Sequence, residues 1–297
     1  MDILNAERAL AASPNHRILK RIPDAADWNL TATSGDIRRA LFVDTETTGL
    51  NHDTDEVIEL ALLPFEYERD SGVIVRVLED EAYSGLRQPS IPIPVESAKV
   101  HGITDADVAG KTVDANRVER LVSSAQLIIA HNAGFDRPMV EKHWQIFERM
   151  NWACSLNDIE WRDEGLSSGK LDYILMRMGW FYDAHRALGD ALAGAFLLHS
   201  ALPISKRVTM QALLQCARRP LKALRAENTA YEARAALKQR GYRWDPGDIG
   251  RQKAWWILTD DAAGEIAWLN SEIYSAPVEV PVINMPATRR YSSRLWT

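Results

Sequence analysis

The chain has 297 residues, 46% of them hydrophobic and 26% charged, with a formal net charge of −6. That supplies one substantial core with length left for a small appendage, and no apolar stretch approaches the roughly 20 residues that a bilayer span requires. Asp2, Glu7 and Arg8 stand where a signal peptide would be apolar, and Cys154 and Cys216 form neither a CxxC pair nor a disulfide framework. A cysteine zinc site is therefore excluded, and a cytoplasmic protein with no membrane partner is expected.

Residues 1–36 read as a helical, partly irregular arm ending in the polar turn 31–35. Residues 37–203 form the main domain. Three apolar segments of strand length, 41–43, 57–63 and 73–78, are separated by polar turns and predict a three-stranded meander. Strands and helices then alternate: helix 113–125, strand 127–130, helix 135–150, strand 152–155, and amphipathic helices 171–178 and 187–198. The expected class is α/β, a mixed sheet flanked by helices.

Beyond Pro203 the texture changes. Residues 204–221 read as a linker, 222–275 as a small basic, aromatic-rich α+β appendage, and 276–297 as a tail. Within the appendage, a helix over 226–240 stops at Gly241, two short strands (242–244 and 253–258) flank the turn 245–250, and a short helix covers 264–273. From Cys216 to Trp256 there are ten Lys and Arg against four acids, a local charge of +6 that leaves −12 for the rest of the chain. An acidic body with a basic appendage fits an enzyme whose carboxylates hold cations while a separate surface attracts phosphate. A solvated basic helix face explains the same run equally well.

The chemistry-bearing residues lie in the main domain. In Asp44-Thr-Glu46, side chains two apart on a strand share a face, so two carboxylates converge at its end and call for a cation. The following Thr47, Thr48, Gly49 and Leu50 turn the chain sharply and offer backbone N–H groups to a terminal ribose or phosphate. His131-Asn-Ala-Gly-Phe-Asp136 sits where an apolar strand gives way to a helix, with Asp136 in the first turn, where the macrodipole favours an acid. In His185-Arg-Ala-Leu-Gly-Asp190, five steps of helix amount to about 500° of rotation. The imidazole is therefore expected before the helix and the carboxylate inside it. Each motif alone has an ordinary structural explanation; the three in this order are far more specific.

Together they resemble the DEDDh exonuclease family, which contains the proofreading epsilon subunit of bacterial replicative polymerase. The anchors are Phe42 to Leu50, Val100-His-Gly-Ile-Thr104, His131 to Asp136 and His185 to Asp190, within a match from about Arg38 to Leu198. The resemblance implies a ribonuclease-H-like fold, with Asp44, Glu46, Asp136 and Asp190 as metal ligands and His185 as general base. It also implies that the 100–104 loop, with His101, helps hold the 3′ nucleotide, while Leu50 and Phe135 pack against the terminal base or sugar. Asn132 belongs with Thr47 to Leu50 among the expected substrate contacts. Core packing is the competing explanation for Leu50 and Phe135, and bracing of its own loop for His101.

Hard divalent cations on oxygen ligands suit a phosphodiester substrate, so two Mg²⁺ or Mn²⁺ ions per site are expected, with Asp44 bridging them. His185 would take the proton of the attacking water, and activity would rise with pH as the imidazole titrates. The expected activity is 3′→5′ exonucleolytic hydrolysis releasing nucleoside monophosphates from nucleic acid with a free 3′ end, single strands favoured. DNA, in replication or repair, is preferred by family analogy. The competing readings are an RNA-trimming exoribonuclease, a metal phosphohydrolase acting on free nucleotides, and a scaffold that keeps the fold to bind a polymerase; a homodimer partner is also open. In the appendage, Trp244, Trp255, Trp256 and Trp268 interleave with Arg240, Arg243, Arg251 and Lys253, which suits a single-strand platform. A small core needs such rings too, and Trp255 and Trp256, adjacent on a strand, must point to opposite faces.

Overall fold

A computed structural model describes residues 2–247 and 250–296. In the turn expected over 245–250, Asp248 and Ile249 therefore lie outside the described residues. The chain divides into two compact units, Met1–Ala217 with Tyr291–Thr297, and Arg218–Arg290. Among the described residues, no helix is long and apolar enough to cross a membrane.

In the first unit the elements run α1 (Ile3–Ala11), β1 (Lys20–Arg21), β2 (Ile37–Thr47), β3 (Val57–Glu68), β4 (Ile74–Val77), β5 (Tyr83–Leu86), α2 (Val95–His101), α3 (Asp105–Val108), α4 (Ala115–Ser124), β6 (Leu127–Ala130), α5 (Ala133–His143), β7 (Trp152–Cys154), α6 (Leu171–Arg177), β8 (Trp180–Phe181), α7 (Ala187–His199) and α8 (Thr209–Ala217). The main sheet has the order β4-β3-β2-β6-β7, with β5 also on β3. β2 pairs antiparallel with β3 and parallel with β6, and β6 parallel with β7, so the sheet is mixed. Alternation along β2 divides its side chains: Ala40 and Phe42 join the core shared with α6, α7 and α8, while Leu41 and Val43 join the core shared with α4 and α5. This is the expected α/β architecture, a mixed sheet flanked by helices.

Several local expectations change. The meander gains a fourth strand, β5, because residues 83–86 pair with β3 beyond the end of β4. The expected loop at 100–104 begins inside α2, which follows Pro94 and ends at Gly102 in the left-handed conformation (φ 73°). The helix expected over 135–150 stops at His143, where Trp144 turns to extended backbone, and a 3-10 turn (Gln145–Arg149) follows. The N-terminal arm is tied to the domain, since β1 pairs with β8 and Trp28 is buried in the core. Part of the expected linker is α8, with Met210 and Leu213 fully buried. The end of the chain returns to α5: Ser292 Oγ donates to Glu141 (2.6 Å), and Arg294 donates to the same carboxylate (3.0 Å).

In the second unit, β9 (Leu221–Glu227), α9 (Arg234–Gln239), β10 (Arg243–Asp245), β11 (Ala254–Thr259), α10 (Ala262–Trp268) and β12 (Val282–Met285) build a four-stranded sheet in the order β10-β11-β9-β12. Here the helix expected over 226–240 is corrected. Its first residues belong to β9, whose helix-favouring composition is overridden by strand partners on both sides. The expected tail contributes β12. Trp255 is buried, whereas Trp256 on the opposite face is half-buried.

Gly194 sets how closely α7 approaches β2, because a Cβ there would overlap the Phe42 ring. Gly194→Ala should therefore destabilise the fold by about 1–3 kcal/mol through overpacking. Gly134→Ala, where a Cβ meets nothing within 4 Å, should be neutral or mildly stabilising. Urea denaturation of both variants checks the contrast.

Candidate active site

Three carboxylates meet at the end of β2. Asp44 and Glu46 lie on the face that α7 covers, and Asp190 sits in the first turn of α7; one oxygen from each lies within 4.8 Å of the other two. Their convergence follows from the two-residue strand period and the close approach of α7 at Gly194. Asp136, in the first turn of α5, is buried behind them and accepts a hydrogen bond from Thr45 Oγ1 (2.8 Å). Thr45 thus serves the opposite face of β2 from its two acidic neighbours. Asp190 accepts from the Tyr182 hydroxyl (2.7 Å) and from the backbone N–H groups of His185 (2.8 Å) and Arg186 (3.1 Å).

His185 precedes α7, exposed and in a left-handed conformation (φ 71°). Its backbone bond to Asp190 couples the imidazole-bearing loop to the carboxylate cluster. His101 is buried within electrostatic reach of His185, and its Nδ1 accepts the Ile103 N–H (3.0 Å). The Ser97 hydroxyl donates to the Thr48 carbonyl (2.7 Å), so α2 is anchored to the turn after β2.

The other anticipated contact residues are distributed unevenly. Thr47 and Thr48 are buried, and their hydroxyls donate to the Gly49 carbonyl (2.6 Å) and to Asp55 (3.0 Å), so they shape the turn. The Thr48 N–H is occupied by the Glu56 carbonyl (2.9 Å). At Gly49 a side chain would collide with the Asp55 carboxylate. Leu50 is 83% exposed and contributes nothing to the core. Phe135 is half-buried with its ring 5.5 Å from that of His52, which places the start of α5 beside the turn. Asn132 is exposed and left-handed (φ 77°) at the head of α5. His131, by contrast, is locked: its ring nitrogens meet Ser155 Oγ (2.9 Å) and the Gly169 carbonyl (2.8 Å), and burial pushes it down to about 4.

Sequence reasoning missed Glu59 and Tyr182. Glu59 faces Glu46 across β2 and β3, is 1% exposed, and is held by Arg186 (3.1 Å) and Ser84 Oγ (3.0 Å). Its signal was an acid in the middle of an apolar strand, which must find a partner when buried. Tyr182 left no comparable signal.

Burial, then the neighbouring acids, raises Glu46 to about 8. Burial raises Asp136 to about 7 against the opposing Thr45 bond, and Asp44 and Asp190 are also raised, chiefly by burial. Hard oxygen donors packed this closely suit a divalent cation, which relieves both the desolvation and the repulsion.

Residues 41–198 match the exonuclease family RNase_T. A DNA polymerase III subunit epsilon-like protein of Rhodobacter capsulatus is 31% identical over 173 residues, covering 55% of this chain and 23% of that protein. The DNA polymerase III subunit epsilon of Buchnera aphidicola is 26% identical over 174 residues, covering 54% and 70%. The chain thus spans under a quarter of the Rhodobacter relative's length. Among solved structures, Exonuclease X in complex with 5′ overhanging duplex DNA is 22% identical, with 60% of this chain and 90% of that chain covered and a TM-score of 0.40.

Carboxylates with raised folded values hold protons that the unfolded chain releases. Their contribution to stability is present at acid pH and is lost as pH rises through about 7 to 8. In EDTA, the melting temperature should therefore fall between about pH 5.5 and about pH 8.5, and Mg²⁺ or Mn²⁺ should restore it most at the higher pH. Calorimetry at both pH values checks this; a cation response of equal size at each would contradict it.

Proposed function

Because this chain belongs to the DEDDh 3′→5′ exonuclease family, we propose that it removes mononucleotides from the 3′ end of DNA with Asp44, Glu46, Asp136 and Asp190 as its cation-holding acids and His185 as its general base. The observation that carries this reading is the meeting of Asp44, Glu46 and Asp190 oxygens within 4.8 Å, with Asp136 buried behind them. Two bound Mg²⁺ or Mn²⁺ ions would supply charge neutralisation of the phosphodiester and activation of water.

The chain's own residues do the rest. Thr45 and Tyr182 orient Asp136 and Asp190 by direct hydrogen bonds, so the oxygens are set before substrate arrives. Asp190 holds the backbone at His185, whose exposed imidazole takes the proton of the attacking water. Exposed Leu50 and half-buried Phe135 offer apolar surface to the terminal nucleotide. Buried His101 braces its own segment by accepting the Ile103 N–H. The choice of DNA, and of a polymerase as assembly partner, is supported by the names of the curated relatives.

Asp44→Ala with Glu46→Ala should abolish release of label from the 3′ end of a single strand while circular dichroism stays unchanged. His185→Ala should lower kcat by about 10²–10⁴-fold with little change in KM. A panel of DNA and RNA, single and double strands, labelled at either end, reads polarity and substrate together. Full activity of the double variant, or label released first from the 5′ end, would overturn the reading.

A further inference from the structure

The second unit carries a run of rings and cations from the start of α9 to the edge strand β10. Tyr231, just before α9, is 71% exposed, with the Arg234 guanidinium 3.9 Å from its ring centre. Arg234 and Lys238 are exposed and four residues apart, so they share a helix face. Lys238 Nζ lies 5.9 Å from the Trp255 ring, which packs edge-on at 5.3 Å against Trp244. Trp244 pairs directly with Trp255 but sits on the outermost strand, and half of its surface remains in water.

Packing alone does not require this arrangement. Trp255 is buried in the unit's core with Leu224, Leu237 and Tyr242, whereas Trp244 and Tyr231 present ring surface outward. Two other basic groups of the unit are engaged internally: Arg225 bonds Asp245 (2.6 Å), and Arg240 bonds Glu265 (2.7 Å). Among the described residues, no ion pair involves Arg234 or Lys238, and Glu232 is the only acid between Tyr231 and Trp244. The surface therefore combines ring faces with cations not matched by acids.

We propose that Tyr231, Arg234, Lys238 and Trp244 form a binding surface for single-stranded DNA, with bases stacking on the two rings and phosphates meeting the two cations. Stacking requires unpaired bases, which favours a single strand over a duplex, and the exposed rings favour a nucleic acid over an acidic peptide. The choice of DNA rests on the function proposed above, whereas the surface itself lies within the second unit and its ligand contacts need no hydrolysis.

The test uses the full chain in EDTA, so that strand cleavage does not intervene, with a fluorescein-labelled thirty-nucleotide oligo(dT) as probe and anisotropy as readout. Tyr231→Ala with Trp244→Ala should weaken binding by about tenfold or more, while Tyr231→Phe with Trp244→Phe, which keeps both rings, should bind within about threefold of the parent. Arg234→Ala with Lys238→Ala should reduce the slope of log affinity against log salt by about 1.4. An alanine pair that binds within about twofold of the parent and folds normally would overturn the proposal. So would equal binding of the parent to duplex DNA or to poly-glutamate. Because this readout is binding and the catalytic reading is tested by 3′ release, either can fail without the other.

Discussion

The controlling constraint is electrostatic: acidic side chains are packed at one end of a buried strand with too little positive charge nearby to neutralise them. Asp44, Glu46 and Asp190 converge, Asp136 lies behind them and Glu59 beside them. Among the described residues, Arg186 is the basic side chain that makes an ion pair within this group, and it does so with Glu59. Burial and mutual repulsion both disfavour the charged forms, so the cluster must bind either protons or cations. A divalent ion satisfies the oxygens while leaving them ionised, which is the state useful for chemistry on a phosphodiester.

The scaffold holds the acids together from both sides of β2. On one face, Gly194 lets α7 settle against Phe42 and brings Asp190 forward, and Tyr182 and two backbone N–H groups fix its carboxylate. On the other, Thr45 holds Asp136, while α5 is braced by fully buried Arg137 bonded to Glu141 (2.6 Å) and by the returning C-terminal residues. A single strand thus carries two acids and, between them, the hydroxyl that positions a third. This explains why the chemistry is concentrated at its end.

The main sheet apart from β5 was legible because those strands are nearly continuous apolar runs, and Asp44 and Glu46 because period-two alternation places them on one face. Asp136 and Asp190 were legible only through the combined motif resemblance, since their helical positions alone suit ordinary acids near a helix start. Glu59 was missed despite its apolar surroundings because no motif included it. The error at residues 226 and 227 has a different cause: Ala and Glu favour helix locally, and only the distant partners of β9 make the start of this expected helix the end of a strand. Long-range pairing of this kind leaves little trace in a local pattern.

Crystals of the protein soaked in Mn²⁺ would test the central claim most directly by anomalous diffraction. Strong peaks are expected among the oxygens of Asp44, Glu46 and Asp190, reaching toward Asp136. A saturating soak that leaves this position without anomalous density, with the carboxylates turned away from one another, would contradict it.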